Sequence, residues 1–173
     1  MKSEAQRRAK SRAAEVERSV ETILLPNPKA LLTKIRGFLL RQREDGHPGN
    51  GVEAMRLEDS KGEFLIATGP HIDKGRVDGH FILRSGARLS LGVVVRADGT
   101  RSRLVASWFD YRHERLPVLR YELARKEVDP LREPRAHLHL GLDDLRLPSC
   151  VLDPFEILDL LFFVVDPALS SPV

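Results

Sequence analysis

Between Leu89 and Trp108 apolar and polar residues alternate on both sides of Asp98-Gly99. A period of two sends successive side chains to opposite faces of a strand, and Asp-Gly favours the two-residue turn that needs positive φ at both central positions. The pattern predicts a hairpin that pairs Val95 with Ser102, Val93 with Leu104, Leu91 with Ala106 and Leu89 with Trp108. One face is then nearly all apolar. The other carries Arg88, Arg96, Arg101 and Arg103 beside Phe109 and Tyr111, with Arg96 opposite Arg101, a like-charge pair that weakens the hairpin slightly.

The same alternation predicts a hairpin of 52–58 and 63–68 across Asp59-Ser60-Lys61-Gly62, a short strand at 81–83, a strand at 118–123, and another at 136–140. In the fourth of these, Val118, Arg120 and Glu122 share one face and Leu119, Tyr121 and Leu123 the other. Helical spacing appears at both ends of the chain. Residues 3–24 open on a capping-box pattern, Ser3-Glu4-Ala5-Gln6, and carry a narrow seam of Ala9, Ala13, Val16, Val20 and Ile23. That seam suits either a partner or second copy, or packing on its own domain. Asn27-Pro28 starts a second helix, Asn as cap and Pro where a missing amide costs nothing, with the stripe Leu31, Leu32, Ile35, Phe38 and Leu39 and a stop at Gly46. Asp153-Pro154 starts a third, from Phe155 through Phe163, apolar nearly all round. The expected fold is α+β: an antiparallel sheet of about five to seven strands packed against two helices, with an N-terminal helical extension. The Gly/Pro/Asn stretch at 46–51 divides a helical region, 1–46, from an α+β domain, 51–173.

The 173 residues are 42% hydrophobic and 31% charged, a globular composition with one cysteine, Cys150, which excludes an internal disulfide and fits a reducing compartment. No apolar run is long enough to span a bilayer, so no membrane role and a cytoplasmic setting are expected. Net charge is only +3, but residues 1–45 hold 11 Lys/Arg against 6 Asp/Glu, and residues 141–173 hold one Arg against 6. Such polarity suits an anionic partner at one end and a basic partner or self-association at the other.

Candidate chemistry gathers late in the chain. His137 and His139, two apart on a strand, project from one face about 7 Å apart at the backbone, so both imidazoles reach one phosphate, water or metal. A metal would need a third ligand, His113 or Glu122. Arg120 and Glu122 either pair structurally or serve a reaction, the arginine supporting phosphate charge and the carboxylate orienting a histidine or acting as base. His71, Asp73, Asp78 and His80 sit symmetrically about a Gly turn and read as a polar loop or as ligands. The Arg88, Arg96, Arg101 and Arg103 face with Tyr111 is either a solvated surface or one that meets nucleic-acid phosphates. No Gly-rich phosphate loop, Gly-x-Ser-x-Gly elbow or Cys-x-x-Cys occurs, which leaves P-loop hydrolysis, serine hydrolysis and zinc ribbons without support.

The run Trp108-Phe109-Asp110-Tyr111-Arg112-His113, a tight turn, Arg120-Tyr121-Glu122, a Pro-containing loop, Pro134-Arg135-Ala136-His137-Leu138-His139 and a final helix after Asp153-Pro154 resembles the TumE-like toxins of bacterial toxin-antitoxin pairs. The resemblance covers roughly residues 108–165; this chain is longer, with two N-terminal helices and an extra hairpin. It implies a compact α+β domain, an antitoxin as protein partner, and a nucleic-acid target. Carried over residue by residue, it marks Tyr111, His113, Arg120, Tyr121, Glu122, His137 and His139. The expectation is a toxin-like protein acting on RNA by metal-free histidine acid/base chemistry, without cofactor. The alternative is a non-enzymatic module that binds a protein partner, or a second copy, through helices 3–24 and 154–165.

Overall fold

Helix α1 (Glu4–Thr22) runs into a short strand β1 (Leu24–Pro26), and Pro26 is followed by Asn27, whose Oδ1 accepts from the Ala30 amide at 3.0 Å and starts α2 (Pro28–Leu40). The computed structural model describes residues 4–41, 52, 55–68, 72–73, 76–77, 81–83, 85–114, 116–126, 134–141 and 146–165. Ser3 of the expected capping box and Gly46 of the expected stop lie outside them. Strands β2 (Arg56–Ser60) and β3 (Glu63–Ala67) form the first hairpin across Lys61 and Gly62, both at positive φ as a type I′ turn requires. A small ribbon, β4 (Ile72–Asp73) with β5 (Arg76–Val77), precedes β6 (Phe81–Ile82). Then come β7 (Arg88–Asp98), β8 (Arg101–His113), β9 (Leu116–Leu123), β10 (Ala136–Leu140) and β11 (Arg146–Pro148). Asp153 caps α3 (Pro154–Asp159) in a full capping box with Glu156, and Leu160–Val165 continues it as a π-helix.

The result is α+β, with an antiparallel sheet in the order β11-β10-β9-β8-β7-β3-β2. Two further strands raise the main sheet to nine, above the five to seven expected: β1 shares an edge of β8 with β9, and β6 shares an edge of β7 with β3. β6 is the short strand expected at 81–83, whereas β1 and β11, three residues each, are too short to show a period. The stripe of α2 closes the core, with Leu31, Ile35 and Leu39 fully buried, and Phe38 stacks on Phe162 at 5.5 Å. Val16 and Val20 of the α1 seam are buried in that same core, which runs from α1 to Phe162 across the boundary expected at 46–51.

The central hairpin departs from the expected register in two steps. Asp98 pairs with Arg101, so the turn is Gly99-Thr100 and not Asp98-Gly99. Of these residues only Gly99 has positive φ, at 60°, which fits the II′ turn that puts glycine first. This slip preserves the faces but sets Arg96 opposite Arg103 rather than Arg101. The second step reverses them. Val95 pairs with Leu104 but Val94 with Ala106, so Val105 is the extra residue of a β-bulge. Leu89, Leu91, Val93, Val95 and Leu104 face the core as expected; beyond the bulge Phe109 and Tyr111 turn inward, and Ala106 and Trp108 turn outward. The inward pair adds two large aromatic rings to the core, a greater gain in buried apolar area than Ala106 and Trp108 would supply. The carbonyl of Val105 is not left alone: buried Arg135 donates Nη2 to it at 3.3 Å, donates Nε to the Ala124 carbonyl at 2.9 Å, and pairs through Nη1 with Glu17 of α1. Outside, the Trp108 ring lies over Gly92, where a Cβ would come within 2.0 Å of it.

Candidate functional site

Strands β9 and β10 pair so that His137 lies opposite Glu122 and His139 opposite Arg120. Direct partners in an antiparallel ladder project to the same face. That face is the one turned away from Tyr121 and Leu123, so alternation alone gathers Arg120, Glu122, His137 and His139 on one side. Across the next ladder, Glu122 meets Trp108 and Arg120 meets Asp110.

Donor atoms of Glu122, His137 and His139 lie within 4.8 Å of one another. Glu122 Oε2 is 3.8 Å from His137 Nε2 and 4.0 Å from His139 Nε2, and the two rings stand 4.8 Å apart, tilted by 57°. The imidazoles are almost wholly enclosed, His137 at 1% and His139 at 4% exposed, whereas the Glu122 side chain is 41% exposed. Solvent therefore meets the cluster from the carboxylate side. His137 Nδ1 sits 2.7 Å from the Pro134 carbonyl, an acceptor only, so that nitrogen carries a proton, and in the neutral ring the lone pair is on Nε2. This Nε2 is buried without a hydrogen bond. A buried polar atom left so costs about 1–3 kcal/mol.

Beside the cluster, Arg120 donates Nε and Nη2 to Asp110 Oδ2 at 3.3 and 3.2 Å, and Arg112 donates to both oxygens of the same carboxylate at 2.8 and 2.9 Å. Burial pushes the Asp110 carboxyl up, but the Arg112 bonds and the charge of both arginines outweigh it and hold the group below the usual carboxylate range. Asp110 thus fixes the guanidinium next to the histidines. It escapes a reading of the sequence because the bulge decides which face it takes. The Pro134 carbonyl escapes it as well, since a backbone acceptor three residues before His137 leaves no mark in the order of residues.

Other expected site residues fall elsewhere. Tyr121 faces the core, accepts from the Leu152 amide at 3.1 Å, and is pushed up to about 12 by burial. Tyr111 is fully buried opposite Leu89 and Leu119, a correction to its expected place beside the arginines, caused by the bulge. His113 pairs with Leu116 at the far end of the β8–β9 ladder, six positions along β9 from Glu122, or roughly 20 Å of strand. Arg88, Arg96, Arg101 and Arg103 do lie on the outer face. Arg96 is bound to Glu63 at 2.7 Å and Arg103 to Asp98 at 2.7 Å, while Arg88 stands opposite Arg112 and Arg101 opposite Asp98. His71, Asp78 and His80, and the side chain of Asp73, lie outside the described residues.

Compared with family models, curated proteins and solved structures, the chain matches none. The likeness to TumE-like toxins therefore stands on the quoted residues alone. Among the described residues no helix is long and apolar enough to cross a membrane.

Proposed function

We propose that this chain is a toxin-like protein that acts on RNA, with Glu122, His137 and His139 as its chemical centre. The convergence of two imidazoles and a carboxylate beside a fixed arginine carries the reading. Cleavage of a phosphodiester needs lone pairs at one point, where an attacking hydroxyl or water loses its proton, and a cation near the phosphoryl oxygens. The cluster supplies the first and Arg120 the second. Arg88, Arg101 and Arg112, exposed on the same sheet face, add the electrostatic attraction that brings a polyanionic backbone near. Glu122, His137 and His139 meet, whereas His113, also expected at the site, stands apart at the far end of the β8–β9 ladder.

The test is a cleavage assay on single-stranded RNA with the purified chain and with a His137→Ala/His139→Ala double variant. Cleavage by the former and none by the latter is expected. Intact RNA with the native chain refutes the reading. A second reading then takes its place, a protein-binding module, for which the observation is Phe163 and Val164, 59% and 70% exposed at the end of the C-terminal helix. An antitoxin, or a second copy of the chain, would be the occupant.

A further inference from the structure

The gap between the three donor atoms is the wrong size for an ion pair. A charge-assisted imidazole-carboxylate bond closes to about 2.7–2.9 Å, yet Glu122 Oε2 stands 3.8 and 4.0 Å from the two Nε2 atoms, nearly equidistant from both. A tetrahedral cation with bonds near 2.0–2.1 Å holds its ligand atoms about 3.3 Å apart. Closing the Glu122 contacts to that spacing takes shifts of roughly 0.5 and 0.7 Å, within reach of a half-exposed glutamate, and the two imidazole donors, which with it lie within 4.8 Å of one another, draw in to the same spacing.

We propose that Glu122, His137 and His139 bind one divalent transition-metal cation of the zinc class through Oε2 and the two Nε2 atoms. Two imidazoles and one carboxylate are a donor set suited to such cations, and three protein ligands leave a position for water or substrate. The half-exposed carboxylate marks the open side. The outer arrangement fits as well: a ligating histidine ordinarily donates its other ring N–H to a carbonyl or carboxylate, and His137 Nδ1 does so to Pro134 at 2.7 Å, aiming a buried lone pair into the cluster. Both histidines and the glutamate come from neighbouring strands of one ladder, so the ligands are held by backbone pairing rather than by a loop.

The inference rests on the same cluster as the RNA reading and gives the imidazoles ligation, in place of proton transfer, as their task. Its test reads binding alone. The untagged full chain, stripped by chelator and dialysed, is titrated with zinc by calorimetry and with cobalt by visible absorption. One equivalent per chain is expected, with millimolar magnesium failing to compete, since magnesium prefers an oxygen-rich octahedral shell. Glu122→Gln keeps the shape of a half-exposed side chain and so keeps the fold; it should weaken zinc at least about 10-fold, and His137→Ala more than about 100-fold, beyond the usual cost of losing an outer-shell partner. His113→Ala should leave binding unchanged. The proposal is overturned if the native chain takes up no stoichiometric zinc, or if Glu122→Gln and His137→Ala bind as the native chain does. RNA cleavage without zinc uptake would remove the metal and keep the RNA reading; uptake without cleavage would do the reverse.

Discussion

Strands β9 and β10 carry two different proteins on their two faces. Toward the helices, Tyr121, Leu123 and Ala136 are buried in the core. Toward the other side, Arg120, Glu122, His137 and His139 occupy the alternate positions, and there the burial of two histidines contributes nothing that leucines would not contribute better. Burial of an apolar side chain stabilises by about 1.5–3 kcal/mol, whereas buried imidazoles need partners for every ring nitrogen. The contrast predicts that substitutions on the two faces will separate unfolding from the proposed function.

The largest effect should come from the inner face just past the bulge. Phe109→Ala removes a fully buried ring and is expected to cost about 3–5 kcal/mol, read as a shift of the urea midpoint. A loss below about 1 kcal/mol would mean that Phe109 is on the outer face and that the bulge at Val105 is absent.

Smaller, and specific to the outer face, is Gly92→Ala. The added methyl would meet the Trp108 ring within 2.0 Å, and overpacking of this kind costs about 1–3 kcal/mol. Trp108 is the single tryptophan of the chain, so its fluorescence reports the displacement directly. An unshifted spectrum and unchanged stability would show that the ring does not rest on Gly92.

Tyr121 tests the inner face by pH. Its phenol is pushed up to about 12, against roughly 10 when unfolded. Above about pH 10 the unfolded chain therefore releases this proton before the folded one does, so stability is fully present below about pH 10 and falls as pH rises toward about 12. Tyr121→Phe should flatten that part of the curve, and it should also leave the Leu152 amide without its acceptor at a cost of about 1 kcal/mol. An alkaline limb that is the same in both proteins would place the phenol in solvent.

Much of this architecture is legible in the order of residues. Asn27-Pro28 and Asp153-Pro154 mark two helix starts because the cap oxygen and the missing proline amide act locally. The faces of β9 and β10 follow from alternation alone, which is why Glu122, His137 and His139 can be named together. What stays hidden is non-local. One extra residue, Val105, flips Phe109 and Tyr111 inward, and its carbonyl is satisfied by Arg135, thirty positions on in the chain. Strands β1 and β11 exist because longer strands offer them edges. Neighbouring of Asp110 and Arg120 depends on the same bulge.

The claim at the centre is that the outer cluster works rather than packs, and Glu122→Gln measures it most directly. Unfolding free energy and RNA cleavage are determined on the same preparations of native and variant chain. Stability within about 0.5 kcal/mol of native, as for a half-exposed position, together with loss of cleavage, is the predicted result. A variant that cleaves RNA as the native chain does, or one that loses stability on the scale of Phe109→Ala, would contradict it.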